Sequence, residues 1–277
     1  MSVTARVAQA RTAKPLWPLF VSEAVGTALL VAVGGSFVVL DFGPGSPVVH
    51  LLPDAGLRRA LTGFLFGATG GLIALSQVGK ESGAHINPVV TLAFWLRRSL
   101  PGRVALGYVV AQFAGGVLGA LGLLVWGPWA DGARTAATVP GPEGPVVACL
   151  GEAGATFCLI AGLFTFLGHR RIRRYTPFLF APLYALLVFL EAPLSGTSTN
   201  PARTFGPALV GHLWRGWPVY WAGPLLGTFL AIGLLSALAK YTAWEVRVAK
   251  LYHFGHDPRH VLHRRRWERA WGGRRKT

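Results

Sequence analysis

The chain has 277 residues, of which 52% are hydrophobic and only 14% charged, with a formal net charge of +16. A soluble domain carries about 25% charged residues, and here residues 240–277 alone hold 11 of the 27 Lys/Arg and 3 of the 11 Asp/Glu. What remains is too poor in charge to clothe a soluble globule, so a water-soluble enzyme is excluded and several membrane spans followed by a basic tail are expected.

Read in order, six apolar stretches are long enough to cross a hydrocarbon core of about 30 Å: residues 17–40, 58–79, 104–127, 146–168, 176–194 and 217–239. The first follows Arg6, Arg11 and Lys14, as a signal peptide would. It is too long for a signal sequence's apolar region and lacks a clear cleavage site, so it is read as a retained span. Glycines fall four apart at Gly63, Gly67 and Gly71, at Gly115 and Gly119, and at Gly223 and Gly227. Such spacing lets helix backbones approach closely within lipid. Cys149 and Cys158 are too far apart on one helix for a disulfide and read as small core residues.

Two shorter apolar pieces, residues 86–96 and 200–214, fall outside the six. The first would reach about half the membrane thickness as a helix. Each half of the chain therefore reads as two spans, a half-length helix and a third span. With three spans per half, the second half is inverted relative to the first, and the interrupted segments mark the functional site. If the N-terminus is cytoplasmic, 22 of the 27 Lys/Arg lie inside and Arg58, Arg59, Arg134, Arg203 and Arg215 outside. That asymmetry places both termini in the cytoplasm, in a multi-pass protein of the cell membrane. The expected organisation is a cytoplasmic segment 1–16, a channel domain 17–240 (repeats 17–127 and 146–240), and a basic cytoplasmic tail 241–277.

The chain's only two asparagines, Asn87 and Asn200, each precede proline and open a half-helix. Asn is a preferred N-cap through its side-chain oxygen, and Pro suits the first helical position. The Asn amide nitrogens are then free to donate elsewhere. Each helix start also carries about half a positive charge. Two such starts meeting near the midplane offer donors to a neutral solute and repel a cation or proton.

The stretches Ser82-Gly83-Ala84-His85-Ile86-Asn87-Pro88-Val89 and Thr199-Asn200-Pro201-Ala202-Arg203-Thr204-Phe205-Gly206 resemble the aquaporins, the major intrinsic proteins. The resemblance covers roughly residues 17–240. It implies an all-α membrane fold of six transmembrane helices and two re-entrant half-helices in an inverted-repeat hourglass, assembled as a homotetramer with one pore per subunit. It places Asn87, Pro88, Val89, Asn200, Pro201 and Ala202 at the pore midplane. Val89 departs from the family's Ala and adds bulk there. Arg203, Thr197, Val188 and either Phe66 or Gly67 match the selectivity-filter positions. Val188 stands where strict water channels carry His, which implies a wider, less polar filter. Thr204, where glycerol channels have Asp, and Ala208, Tyr220 and Trp221 instead follow the water-channel pattern.

Glu23 and Glu152 occupy corresponding places in the two halves and are expected to brace the re-entrant loops, since a buried carboxylate needs donors. The carbonyls of Gly83, Ala84 and His85 are expected to line the inner vestibule. A pH gate at His85 is the alternative role for that residue. Gln112 reads as packing or bracing. In the tail, His253, His256, His260 and His263 stand near Trp267 and Trp271 among arginines, a pattern that suits anionic lipid headgroups better than metal or nucleic acid, with plain disorder as the alternative. The expected function is passive passage of water, extending to glycerol or other small neutral solutes, with no catalytic site, metal or cofactor. One rival is a secondary transporter, which also uses inverted repeats; a second is a membrane anchor or interaction protein whose active part is the basic tail.

Overall fold

A computed structural model describes residues 14–239 and 246–264; Trp267 and Trp271 lie outside the described residues. Eight principal helices follow in chain order: α1 (Trp17–Phe42), α2 (Ala55–Leu75), α3 (Pro88–Leu96), α4 (Gly102–Gly122), α5 (Gly144–Gly168), α6 (Thr176–Ser195), α7 (Pro201–Val210) and α8 (Val219–Leu238). Short helices at Pro47–Leu51, Gln77–Ser82 and Pro128–Gly132 join them, and none of the three is foreseen in the sequence.

Among the described residues five helices are long and apolar enough to cross a membrane: α1, α5, α6, α8, and α4 with its 3-10 extension to Trp126. The sixth long helix, α2, has 21 residues but a less apolar start. Arg58 at that end donates from Nη1 to the carbonyls of Leu52 and Pro53 at 2.6 and 2.8 Å, and Asp54 caps the helix through Leu57 N. The half-helices have nine and ten residues. The second stops at Val210, short of the expected 214, because the chain turns at Gly211.

The two halves pack alike. α1 lies against α2 and α4, and α5 against α6 and α8. The halves join where α2 meets α6, and each half-helix reaches the other half's last span, α3 against α8 and α7 against α4. The glycine spacing sits at these seams. A Cβ on Gly63, Gly67 or Gly71 would run into the α6 carbonyls of Tyr184, Phe180 and Pro177. Gly115 and Gly119 meet α1 in the same way, and Gly227 meets α5. Outward faces carry Val21, Val25, Leu29 and Val33 on α1 and Phe229, Leu230 and Leu234 on α8, all exposed. An apolar exterior of this kind suits a hydrocarbon environment. Cys158 also faces outward, contrary to its reading as a core residue, and Cys149 is half-buried.

Residues 246–264 form a compact lobe on the face where α1 begins. Ala249 N donates to Leu262 O at 2.8 Å and Arg264 N to Arg247 O at 2.9 Å, closing a small antiparallel hairpin. Asp257 holds its turn by accepting from the N–H groups of Val261 and Leu262. Arg259 Nε donates to Pro15 O, so both described ends of the chain lie on this face.

Candidate functional site: two half-helices and a pair of cavities

The half-helix starts are built as the cap chemistry requires. Asn87 Oδ1 accepts from Val89 N at 2.9 Å. Asn200 Oδ1 accepts from Ala202 N and Arg203 N at 3.1 and 3.3 Å. The amide nitrogens are not wholly free, as the sequence reading had them. Asn87 Nδ2 donates to Thr199 O at 2.9 Å, and Asn200 Nδ2 donates to Ile86 O at 2.9 Å. Each asparagine thus satisfies the carbonyl just before its counterpart and keeps one N–H for another acceptor.

Both approaches to these caps are strained in the same manner. Ala84 and Ile86 before Asn87, and Thr197 and Thr199 before Asn200, have φ between 43° and 56°. Left-handed backbone is costly for such residues and persists only where surroundings enforce it. Two carboxylates supply part of that enforcement. Glu23 accepts from Ser82 Oγ (2.6 Å), His85 N (3.0 Å), Ile86 N (2.7 Å) and Gln112 Nε2 (2.7 Å). Glu152 accepts from Ser195 Oγ (2.7 Å), Ser198 N (2.6 Å) and Thr199 N (2.7 Å). In each loop the three donors stand five, two and one residues before the asparagine. Tyr108 Oη and Tyr220 Oη donate to the carbonyls of Ser82 and Ser195, completing the correspondence.

Two cavities lie on either side of this junction. One, of about 280 Å³, is lined by Phe66, Thr138, Val188, Thr197 and Arg203 among others. Arg203 is 6% exposed; its Nη1 donates to Ala136 O at 2.9 Å and its guanidinium stands 5.6 Å from the Phe66 ring centre. The other, of about 50 Å³, is lined by Phe66, His85, Asn87, Val90, Asn200 and Leu251 among others. That volume holds only a few waters. Phe66 and Tyr184 border both cavities.

Several sequence expectations are refined by this placement. Phe66 joins Val188, Thr197 and Arg203 around the larger cavity, whereas Gly67 borders only the smaller one and packs against Phe180. Of the two tripeptides, only the asparagines line a cavity described here; Pro88, Val89, Pro201 and Ala202 are buried in packing. Gly83 and Ala84 do not line the inner cavity either. The Gly83 carbonyl accepts from Leu251 N at 3.0 Å, and Ala84 is fully buried. A covering lobe therefore stands where an open carbonyl ladder was expected.

His85 contributes its ring. Nε2 lies 3.3 Å from Ala249 O and Nδ1 lies 3.2 Å from Thr91 Oγ1. A carbonyl only accepts, so Nε2 carries the proton. Gln112 Nε2 donates to Thr91 Oγ1, which leaves the Thr91 hydroxyl free to donate to Nδ1. Of the tail histidines, His253 bonds the Leu75 carbonyl and His263 the Asp257 carboxylate. Among the described residues no three His, Cys, Asp or Glu side chains gather as metal ligands would.

Residues that the sequence reading missed are Tyr184, Thr138, Glu191 and Leu251. Tyr184 sits one turn before Val188 on α6, a signal that was present in the sequence. Glu191 Oε1 shares the Ser195 hydroxyl at 2.5 Å.

Comparison with known proteins agrees with this geometry. The family model described as major intrinsic protein matches residues 10–235. A protein of Archaeoglobus fulgidus named "Probable aquaporin AqpM" is 36% identical over 237 residues, covering 75% of this chain and 95% of that one. The "Lens fiber major intrinsic protein" of Gallus gallus is 35% identical over 232 residues, covering 80% and 81%. The solved aquaglyceroporin of Plasmodium falciparum shares the fold, with a TM-score of 0.66 at 17% identity, covering 82% of this chain and all of that one.

Proposed function

This chain belongs to the major intrinsic protein family, and from that premise we propose that it is a passive membrane channel for water that also admits small neutral solutes such as glycerol. The reciprocal bonds between Asn87 and Asn200 carry the reading. They bring two helix starts together head-on beside a cavity, where two N–H donors and two positive dipole ends favour a neutral hydroxyl and oppose a cation or proton.

In this reading the chain makes six spans and two half-helices, α2 being the sixth span. Arg203, Phe66, Val188 and Thr197 form the filter around the larger cavity. Arg203 supplies donors and charge, Phe66 and Val188 supply apolar walls, and Thr197 supplies a hydroxyl. Asn87 and Asn200 present the midplane donors, within the packing of Pro88, Val89, Pro201 and Ala202. Glu23 and Glu152 hold the two loops. The Lys/Arg distribution supports cytoplasmic termini in a cell membrane, with residues 17–240 as the channel domain. The family resemblance supports a homotetramer. The transporter alternative is not favoured by relatives named as aquaporins.

Stopped-flow shrinkage of proteoliposomes tests the reading. Osmotic water permeability well above that of empty vesicles, with weak temperature dependence and no proton leak, is expected. A rate equal to that of empty vesicles, from folded protein both with residues 246–264 in place and with them cleaved away, refutes it.

A further inference from the structure

The smaller cavity is lined on the termini face by a residue that belongs to no span. Leu251 borders it beside Phe180, Ile86, Val90 and His85 and is 3% exposed. Its neighbours fasten it to the first re-entrant loop. Leu251 N donates to Gly83 O, and Ala249 O accepts from His85 Nε2. Lys250 Nζ donates to Lys80 O and, at 3.2 Å, to Glu81 O. His253 bonds Leu75 O at the end of α2 at 2.8 Å. An outer ring of contacts adds the Arg259–Glu81 ion pair, Ser99 Oγ donating to Val246 O, and Arg173 over the Phe254 ring at 5.0 Å. Val246, Ala249, Leu251 and Leu262 are continuous with the packed interior of the helices.

We propose that residues 246–264 are an intramolecular plug, in which Leu251 closes the cytoplasmic mouth of the channel and tail release opens it. This rests on the channel reading above. Three observations converge on it. An apolar side chain that neither donates nor accepts hydrogen bonds lines the cavity from outside the spans. The Gly83 carbonyl, which would face solute in an open vestibule, is taken by the plug's own backbone. The cavity beneath is about 50 Å³, against about 280 Å³ on the opposite side. The lobe is anchored by several polar bonds and by apolar packing, while the stopper is a single leucine. Weakening the anchors and trimming the stopper should therefore both open the channel, by different routes.

The test uses full-length protein in liposomes, comparing the wild type with Leu251→Ser, Arg259→Gln and Glu81→Gln. Docking is read separately in detergent from the rate of tryptic cleavage after Lys250, a fully buried residue when docked. Arg259→Gln and Glu81→Gln are expected to speed cleavage and raise water permeability per channel severalfold. Leu251→Ser is expected to raise permeability even where cleavage stays slow. A conducting wild type with permeability unchanged in all three variants overturns the plug and leaves the channel standing. Absence of permeability in every protein, including those whose tail is readily cleaved, overturns the channel reading and the plug with it.

Discussion

Asn87 and Asn200 each hydrogen-bond the backbone carbonyl that precedes the other, at 2.9 Å in both directions. The caps of the two half-helices are therefore parts of one bonded unit. Removing either side chain has three effects: it takes away a helix cap, leaves a buried carbonyl without a partner, and loosens the opposite loop.

Asn200→Ala and Asn87→Ala are accordingly expected to destabilise the folded protein by about 2–4 kcal/mol each, cap loss adding about 1 and the orphaned carbonyl the rest. The double variant should lose less than the sum, because the groups share one network. Denaturant unfolding in detergent measures this. Strict additivity would show the two loops to be independent.

Arg203 and Val188 face the same cavity from α7 and α6. Arg203→Val removes donors and positive charge and should admit glycerol faster while weakening ion exclusion. Val188→His narrows the same ring and adds a polar group, so glycerol permeability should fall more than water permeability. Paired stopped-flow measurements with both solutes check each outcome. An unchanged glycerol-to-water ratio in both variants would remove these residues from the filter.

Glu23 accepts three hydrogen bonds from the first loop and a fourth from Gln112 on α4, and Glu152 accepts three from the second loop. Replacing the carboxylate with an amide puts an N–H2 where an oxygen accepted, so donor meets donor. Glu23→Gln and Glu152→Gln should each cost about 2–3 kcal/mol, since bonds to charged groups are among the stronger ones. Thermal unfolding of each variant, read against the wild type, tests this.

Lys250 titrates outside the spans. Burial pushes its pKa down from 10.5 to about 8, Arg259 adds to the fall, and Asp257, Glu81 and Glu23 oppose it. Lys80 and His256 also lie around this site, with His85 bonded to Ala249 just inside it. The docked lobe thus binds fewer protons at Lys250 than the released one between about pH 8 and 10.5. Docking should therefore tighten as pH rises through that window. Water permeability should fall from pH 7.5 to 9.5. Lys250→Met should flatten that profile. A rise in permeability with pH would contradict the sign.

The sequence disclosed the fold because lipid imposes one-dimensional rules. Length and hydropathy located α1, α4, α5, α6 and α8 to within a few residues, and the two Asn-Pro pairs located α3 and α7. Glu23 and Glu152 were visible as charges that a span cannot leave unpartnered. What stayed hidden depends on pairing across distance. The reciprocal Asn bonds follow from how two loops meet, which no local pattern encodes. Which of Phe66 and Gly67 borders the larger cavity depends on the rotation of α2, set by glycines against α6 carbonyls. The packing of residues 246–264 stayed hidden for a related reason. The tail's basic composition suits a membrane surface, yet Leu251 and Ala249 are apolar residues whose partners lie about 160 positions earlier, at His85 and Gly83.

A stopper borne by the same polypeptide it occludes needs no recruitment. Tethered segments meet their seat at an effective concentration of the order of millimolar, so feeble individual contacts suffice for occupancy. The number of conducting molecules would then follow local chemistry at one face and not the supply of a second protein. Each chain would switch for itself.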